Sequence, residues 1–162
     1  MMYFKHMNSA IGRLTLVADD TSLVAVLWPN DKPSRVKLGA MIEDRDQFIL
    51  REAERQLNEY FKGERTAFDL PLHFRGTAFQ KRVWQALLQI PYGQTRSYAH
   101  LAKAVGYDSA SRAVGLANRT NPISIIVPCH RVIGASGKLT GYAGGLETKA
   151  RLLELEGAPR KT

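Results

Sequence analysis

The sequence predicts an α+β protein, with a small α/β domain at residues 1–70 followed by a mostly helical domain at residues 77–162. Three observations predict this class. Two short apolar stretches near the N-terminus are typical of strands, apolar residues at helical spacing dominate after residue 77, and residues 64–76 show no clear period. With 162 residues and 44% apolar side chains, the chain is long enough to build a hydrophobic core.

The first domain begins with two predicted strands. One covers residues 13–18 and the other residues 22–28, and Asp19-Asp20 between them are typical turn residues. Residues 29–33 follow as a loop bounded by two prolines. The pattern therefore predicts a hairpin of two strands.

A helix is predicted next, from roughly residue 43 to residue 62, and Gly63 ends it. Its apolar residues recur at helical spacing, which indicates one buried face. They are Leu50, Ala53, Leu57, Tyr60 and Phe61. Residues 64–76, which include Pro71 and Gly76, are the predicted linker between the two domains.

The second domain begins with a helix that Thr77 caps and that ends at Pro91-Tyr92-Gly93. Its apolar face consists of Phe79, Val83, Leu87 and Ile90. Later in the chain, after Asn121-Pro122, residues 123–127 are predicted to form a short buried extended segment. A final helix is predicted over about residues 146–156.

Two short helices between these elements have the pattern of a winged-helix-like helix-turn-helix. Ser97 is the predicted cap of the first, Ser109 caps the second, and Gly106-Tyr107-Asp108 form the turn. The second helix has a small apolar stripe, with Arg112 on the opposite face. The stripe consists of Ala110, Ala113, Val114 and Ala117. Many helical domains contain such a pair without binding DNA, so the pattern leaves both interpretations open.

The positive charge is concentrated in the second part of the chain. Residues 1–68 hold ten Lys and Arg and ten Asp and Glu, whereas residues 69–162 hold thirteen against five and so carry the whole net charge of +8. This distribution favours a polyanionic partner, although a basic face that only aids solubility is the alternative. Neither a signal peptide nor a long apolar stretch is apparent, which predicts a cytoplasmic protein without a membrane segment.

The chain has a single cysteine, Cys129, which excludes an internal disulfide and a zinc site built from several cysteines. It follows an apolar stretch and Pro128, and two basic residues, His130 and Arg131, come directly after it. Such neighbours favour the thiolate, which is the nucleophilic form. A buried cysteine that only fills space remains the alternative.

Residues Pro128 to Val132 resemble the acceptor motif of the O6-alkylguanine-DNA alkyltransferases, also called methylated-DNA–protein-cysteine methyltransferases. The resemblance covers residues 79–157 and includes several ordered segments. They are Ile90-Pro91-Tyr92-Gly93, Ser97-Tyr98, Ser111-Arg112-Ala113-Val114-Gly115, Ala117-Asn118, Asn121-Pro122 and Gly141-Tyr142-Ala143-Gly144-Gly145-Leu146. Before Phe79 the likeness is one of architecture only. The resemblance identifies residues 77–162 as a DNA-binding and alkyl-acceptor domain.

The resemblance implies a stoichiometric, irreversible transfer of an alkyl group from O6-alkylguanine, and from O4-alkylthymine, to Cys129 after base flipping, with no cofactor and no metal. His130 would act as a base through a bridging water, and Glu156 would orient the imidazole. Asn121 would be a hinge, and Arg112 would fill the gap left by the extruded base. Glu156→Gln is expected to be a milder change than the loss of His130.

The resemblance also assigns residues to the base pocket and the DNA surface. Tyr98 would assist rotation of the nucleotide and donate to the guanine ring, and Tyr142 and the backbone of Ala143 would line the pocket. Further substrate or DNA contacts are expected from Ser97, Ala113, Gly115, Arg119 and Arg131. Ala143 departs from family members that carry Ser at this position. Taken one at a time, His130 could bond a backbone carbonyl, Glu156 could be solvated and Tyr98 could belong to the core.

The implied partner is double-stranded DNA with an alkylated guanine, bound in the minor groove with little sequence specificity by a monomer. Three other classes of protein fit the sequence less well. Alkyltransferase-like proteins lack the acceptor cysteine that this chain retains, and a helix-turn-helix regulator leaves the Pro128–Arg131 motif without a purpose. A cysteine hydrolase needs an oxyanion site and a histidine distant in sequence, neither of which is apparent.

Overall fold

The computed structural model describes residues 1–106 and 110–159 and divides the chain into two compact units. The first unit consists of Met1–Arg75 together with Pro122–Ser124, and the second covers Gly76–Asn121 and resumes at Ile125. A sheet dominates the first and helices the second, which confirms the predicted α+β class. In the described ranges, no helix combines the length and apolarity that crossing a membrane requires.

The first unit contains a four-stranded sheet in the order β3-β2-β1-β4. The strands are β1 (Met2–Ser9), β2 (Gly12–Ala18), β3 (Leu23–Leu27) and β4 (Met41–Glu43). β1 to β3 form an antiparallel meander, and β4 adds to β1 in parallel. The two predicted strands correspond to β2 and β3, whereas β1 and β4 were not predicted. Buried and exposed residues do not alternate clearly along β1, in which Met7 alone is buried, and β4 is only three residues long.

Helix α1 (Phe48–Phe61) packs against this sheet with Leu50, Ala53, Leu57 and Tyr60 buried, as their spacing predicts. It begins five residues later than expected because Glu43 pairs with Phe4 in the sheet. Gln47 caps the helix by accepting a bond from the Leu50 amide at 2.8 Å. Gly63, at a φ of 75°, allows the chain to turn away at the predicted end.

Residues 64–75, predicted as linker, belong to the first unit. Gln56 of α1 exchanges two hydrogen bonds of 2.9 Å with the backbone of Asp69. Leu72 bridges Leu23 of β3 in parallel. Residues 64–75 show no hydrophobic periodicity because these isolated contacts hold them, and not a regular helix or strand.

In its described residues, the second unit contains four α-helices and a small parallel sheet. The helices are α2 (Ala78–Leu87), α3 (Tyr98–Ala104), α4 (Ser111–Arg119) and α5 (Leu146–Leu155), and the strands are β5 (Arg96–Ser97) and β6 (Val132–Ile133). Thr77 and Gln80 form a complete capping box at α2, and the Ser97 hydroxyl accepts from the His100 amide at 3.0 Å at α3. Both predicted caps are confirmed.

Helices α3 and α4 are the predicted helix pair. Gly106 follows α3 at a φ of 85°, whereas Tyr107, Asp108 and the predicted cap Ser109 lie outside the described residues. In α4, Val114 and Ala117 are buried as predicted, but Ala113 is exposed. The buried face of α4 continues instead at Asn118, one turn after Val114. Arg112 is exposed on the outer face, as expected.

The prediction of a short buried extended segment at residues 123–127 is correct for burial, and Ile123 forms a parallel bridge with Val26, but the extended conformation is interrupted at Ile125. Ile125 adopts a φ of 72°, and Ile125 and Ile126 form a turn. This conformation is rare for a β-branched residue, so surrounding contacts must hold it. The chain then enters a single 3₁₀ turn, Cys129–Arg131, and the final helix α5 lies where it was predicted.

Candidate active site

Cys129 opens the 3₁₀ turn and is 4% exposed. The side chains of Asn118 in α4 and of Asn121, two residues after the end of this helix, hold the backbone on either side of Pro128. The Asn121 amide donates to the Val127 carbonyl at 2.8 Å, and the Asn118 amide donates to the Cys129 carbonyl at 3.4 Å. These two bonds therefore connect the Cys129 segment to α4, the helix that carries Arg112.

His130 and Glu156 form a buried pair, with 2.7 Å between Nε2 and Oε2. Because a carboxylate accepts this bond, Nε2 carries the ring proton, and Nδ1 retains a lone pair. Nδ1 is buried and has no hydrogen-bond partner among the described residues. Burial lowers the pKa of His130 although Glu156 acts against it, so the neutral ring is favoured. A neutral imidazole with an unoccupied lone pair is what a general base requires.

Arg131 does not face solvent as a DNA contact would. Its guanidinium is buried and donates to Glu156 at 2.8 and 3.0 Å and to the Ile90 carbonyl at 2.7 Å. It also lies over the ring of Tyr92, 5.7 Å from the centroid. The structure thus places Arg131 behind Glu156, where it holds the carboxylate that orients His130. The solvated alternative for Glu156 is wrong, since this residue is buried.

A separate open pocket of about 410 Å³ lies between α3, α4 and the loop before α5. Its lining residues are Tyr98, Ser111, Arg112, Gly115, Arg119, Thr140 and Gly141. The Tyr98 hydroxyl accepts a bond from Thr140 at 3.3 Å. Two residues further along this loop, the Tyr142 hydroxyl accepts a bond from the Cys129 thiol at 3.7 Å. The loop of Thr140 to Tyr142 therefore connects the pocket to the cysteine.

Comparison with known proteins identifies both units. Residues 78–158 match the family model described as the DNA binding domain of 6-O-methylguanine DNA methyltransferase, and residues 2–74 match its ribonuclease-like domain. A methylated-DNA–protein-cysteine methyltransferase of Methanosarcina acetivorans is 52% identical over 97% of this chain and 99% of its own length. The chain belongs to the 6-O-methylguanine DNA methyltransferase family.

A solved structure supports the same assignment. The Mycobacterium tuberculosis protein in complex with DNA is 50% identical, covers 97% of this chain and 95% of its own, and superposes with a TM-score of 0.88. The family match extends through the first unit, where the sequence motifs had indicated only a common architecture. Within residues 1–106 and 110–159, no group of three or more His, Cys, Asp or Glu is placed to hold a metal ion.

This methyltransferase-family site contains one residue that the sequence analysis missed, Lys149. Its side chain is 0% exposed, donates to the Thr140 carbonyl at 3.0 Å and lies 5.9 and 5.7 Å from the ring centroids of Tyr98 and Tyr142. No carboxylate of the described chain pairs with it. Burial lowers the pKa of Lys149 to about 8, and an ionised Cys129 acts in the opposite direction. An ammonium at Lys149 would therefore favour the ionised form of Cys129.

A sequence pattern could have revealed Lys149. Together with Leu152, Leu153 and Glu156 it forms the buried stripe of α5, at positions i, i+3, i+4 and i+7. A lysine or glutamate in such a stripe is seldom buried without a partner, so the pattern predicts a functional or paired charge.

The remaining predicted residues of the methyltransferase-family site lie at its surface. Ala113 and Ala143 are exposed, and Gly115 lies beside Tyr98, 3.9 Å from where a Cβ would stand. Ser97 is engaged as the α3 cap, which occupies its hydroxyl. Arg119 is exposed at the end of α4.

Proposed function

We propose that this protein repairs DNA by transferring the alkyl group of O6-alkylguanine to Cys129, in a single irreversible turnover. O4-alkylthymine is a second substrate of the same chemistry, since its alkyl group is also carried on an exocyclic oxygen. One observation carries the proposal: in a chain of this family, the single cysteine stands buried beside a His130–Glu156 pair. DNA as the partner is supported by the family and by the related protein solved with DNA.

The reaction is a displacement at the alkyl carbon. The Cys129 sulfur attacks this carbon, a carbon–sulfur bond forms, and the bond between carbon and O6 breaks with its electron pair left on the guanine. The product is a thioether, which water does not cleave under cellular conditions. The protein therefore acts once, with the cysteine as acceptor and without a diffusible cofactor.

Activation of the thiol follows from the buried pair. His130 and Cys129 are adjacent in sequence, which makes direct contact awkward, so a water carries the thiol proton to Nδ1. Glu156 then stabilises the imidazolium, and Arg131 keeps Glu156 in place. A charged Lys149 also favours the thiolate.

The base must leave the duplex, because its O6 substituent is out of reach of a side chain while stacked. In the proposal, Arg112 fills the vacated position, Asn121 is the hinge between α4 and the acceptor segment, and Tyr98 donates to the guanine ring. Tyr142 and the Ala143 amide line the base pocket.

We further propose that a monomer binds the minor groove with little sequence preference. Ala113, Gly115 and Arg119 of α4, together with Ser97 at the start of α3, are the further contacts. The small residues suit close approach to the DNA, and phosphate contacts such as that of Arg119 carry no sequence information. We also propose that the protein is located in the cytoplasm.

Intact mass spectrometry tests the reaction. Mixed with an excess of duplex bearing one O6-methylguanine, the protein should gain one methyl group per molecule, located by peptide mapping on Cys129. The reaction should stop when all protein is modified. Methyl transfer from more than one lesion per molecule, or to another residue, would overturn the mechanism.

Arg112→Ala tests the positioning of the base. If the arginine offsets about 2 to 3 kcal/mol of unstacking, its loss should slow duplex repair by roughly 30- to 150-fold. Transfer from a free O6-alkylguanine base should hardly change, because no vacated position exists there. Single-turnover rates on both substrates give the ratio of the duplex rate to the free-base rate, which should fall in the variant.

Lys103→Ala is the matched control, since Lys103 is an exposed cation on α3. A phosphate contact predicts uniformly weaker DNA binding and a salt dependence shallower by about one charge, with the rate ratio intact. The same behaviour in Arg112→Ala would leave Arg112 as a phosphate contact only.

A further inference from the structure

Leu116 is an unusual residue for the outer face of α4. Its side chain is 56% exposed, whereas Val114 and Ala117 fill the buried face of the same helix. Arg112 stands four residues before it and Arg119 three residues after it, so all three share one face. A large apolar side chain is thus presented to solvent between two arginines.

The charge around Leu116 identifies the kind of surface that covers it. Helix α4 contains no Asp or Glu, and the second part of the chain carries the whole net charge of +8. An apolar group framed by cations matches a polyanion that also offers apolar surface. The minor groove provides both, with phosphates along its edges and deoxyribose and base edges between them.

We propose that Leu116 packs against the minor-groove edges of nucleotides next to the extruded one and holds the opened duplex in place. The inference rests on the proposed function and extends it, because it adds an apolar contact that the arginine-based positioning does not contain. It concerns binding of duplex DNA and not the chemistry at Cys129.

Distances along the helix separate this role from that of Arg112. Four residues of α-helix rise about 6 Å, whereas successive base pairs are about 3.4 Å apart. With α4 in the groove, Leu116 therefore lies between one and two base steps from the position that Arg112 fills.

Leu116→Ala tests the contact, with Leu88→Ala as the matched control. Leu88 is also an exposed leucine of the second unit, at 37%, but it caps α2. Because Leu116→Ala removes apolar contact area, it should weaken binding of a lesion-bearing duplex by about five- to tenfold. Leu116→Met should restore it. Fluorescence anisotropy over a range of salt concentrations measures both affinity and salt slope.

Three readouts distinguish the contact from other causes. The salt slope should stay unchanged because no charge is removed, transfer from the free base should keep its rate, and the melting temperature should not fall. Binding equal to that of the wild type or of Leu88→Ala would overturn the proposal, and so would a slower reaction with the free base. If the wild type transferred no methyl group but the binding difference persisted, the proposed function would fail and this contact would stand.

Discussion

Cys129→Ala is expected to abolish methyl transfer completely and to leave binding of the lesion nearly unchanged. The chain has no second thiol that could accept the group. The Asn118 and Asn121 bonds hold backbone carbonyls, so the variant keeps the acceptor segment in position. Intact mass after incubation with the methylated duplex measures transfer, and anisotropy with the same duplex measures binding.

Cys129→Ser is the control for the size and polarity of the side chain. A hydroxyl beside a neutral imidazole is a far weaker nucleophile than a thiolate, so transfer should again fall below detection. Appreciable methylation of either variant would place the acceptor elsewhere. Loss of binding in both would show that the cysteine is part of the recognition surface and not only the acceptor.

Glu156→Gln is expected to reduce both stability and transfer strongly. The carboxylate accepts bonds from His130 and from two nitrogens of Arg131, all of them buried. A carboxamide has one oxygen and presents N–H groups where the other bonds were accepted, which leaves a buried guanidinium without its counter-charge. Removing one partner of such a pair costs about 3 to 5 kcal/mol. The sequence-based expectation that this change is milder than the loss of His130 did not include Arg131.

Glu154→Gln is the matched control, because Glu154 is an exposed glutamate two residues earlier on α5. Urea unfolding measures the stability of both variants, and single-turnover transfer is compared at a temperature at which each is folded. We expect the control to behave as the wild type. If Glu156→Gln did the same in both assays, neither the orientation of His130 nor the support of Arg131 would depend on this carboxylate.

Much of the molecule could be predicted from local sequence. Thr77 and Ser97 are recognisable as caps because a hydroxyl satisfies an amide two or three residues away, and this bond needs no distant partner. The apolar stripe of α1 is equally local, and Gly63 ends that helix through its own backbone freedom. Cys129 stood out because it is the single thiol and lies within the Pro128–Val132 motif.

By itself, the sequence therefore determined the α+β class and the main helices, and it singled out Cys129 as the proposed acceptor. Tertiary structure decided what depends on residues far apart in the chain. It turned the chain at Ile125, buried Arg131 against Glu156 and Ile90, and enclosed Lys149 next to Thr140. Whether a charged side chain faces solvent or the interior depends on which partners the fold brings within hydrogen-bond distance, because only those partners offset the cost of leaving water.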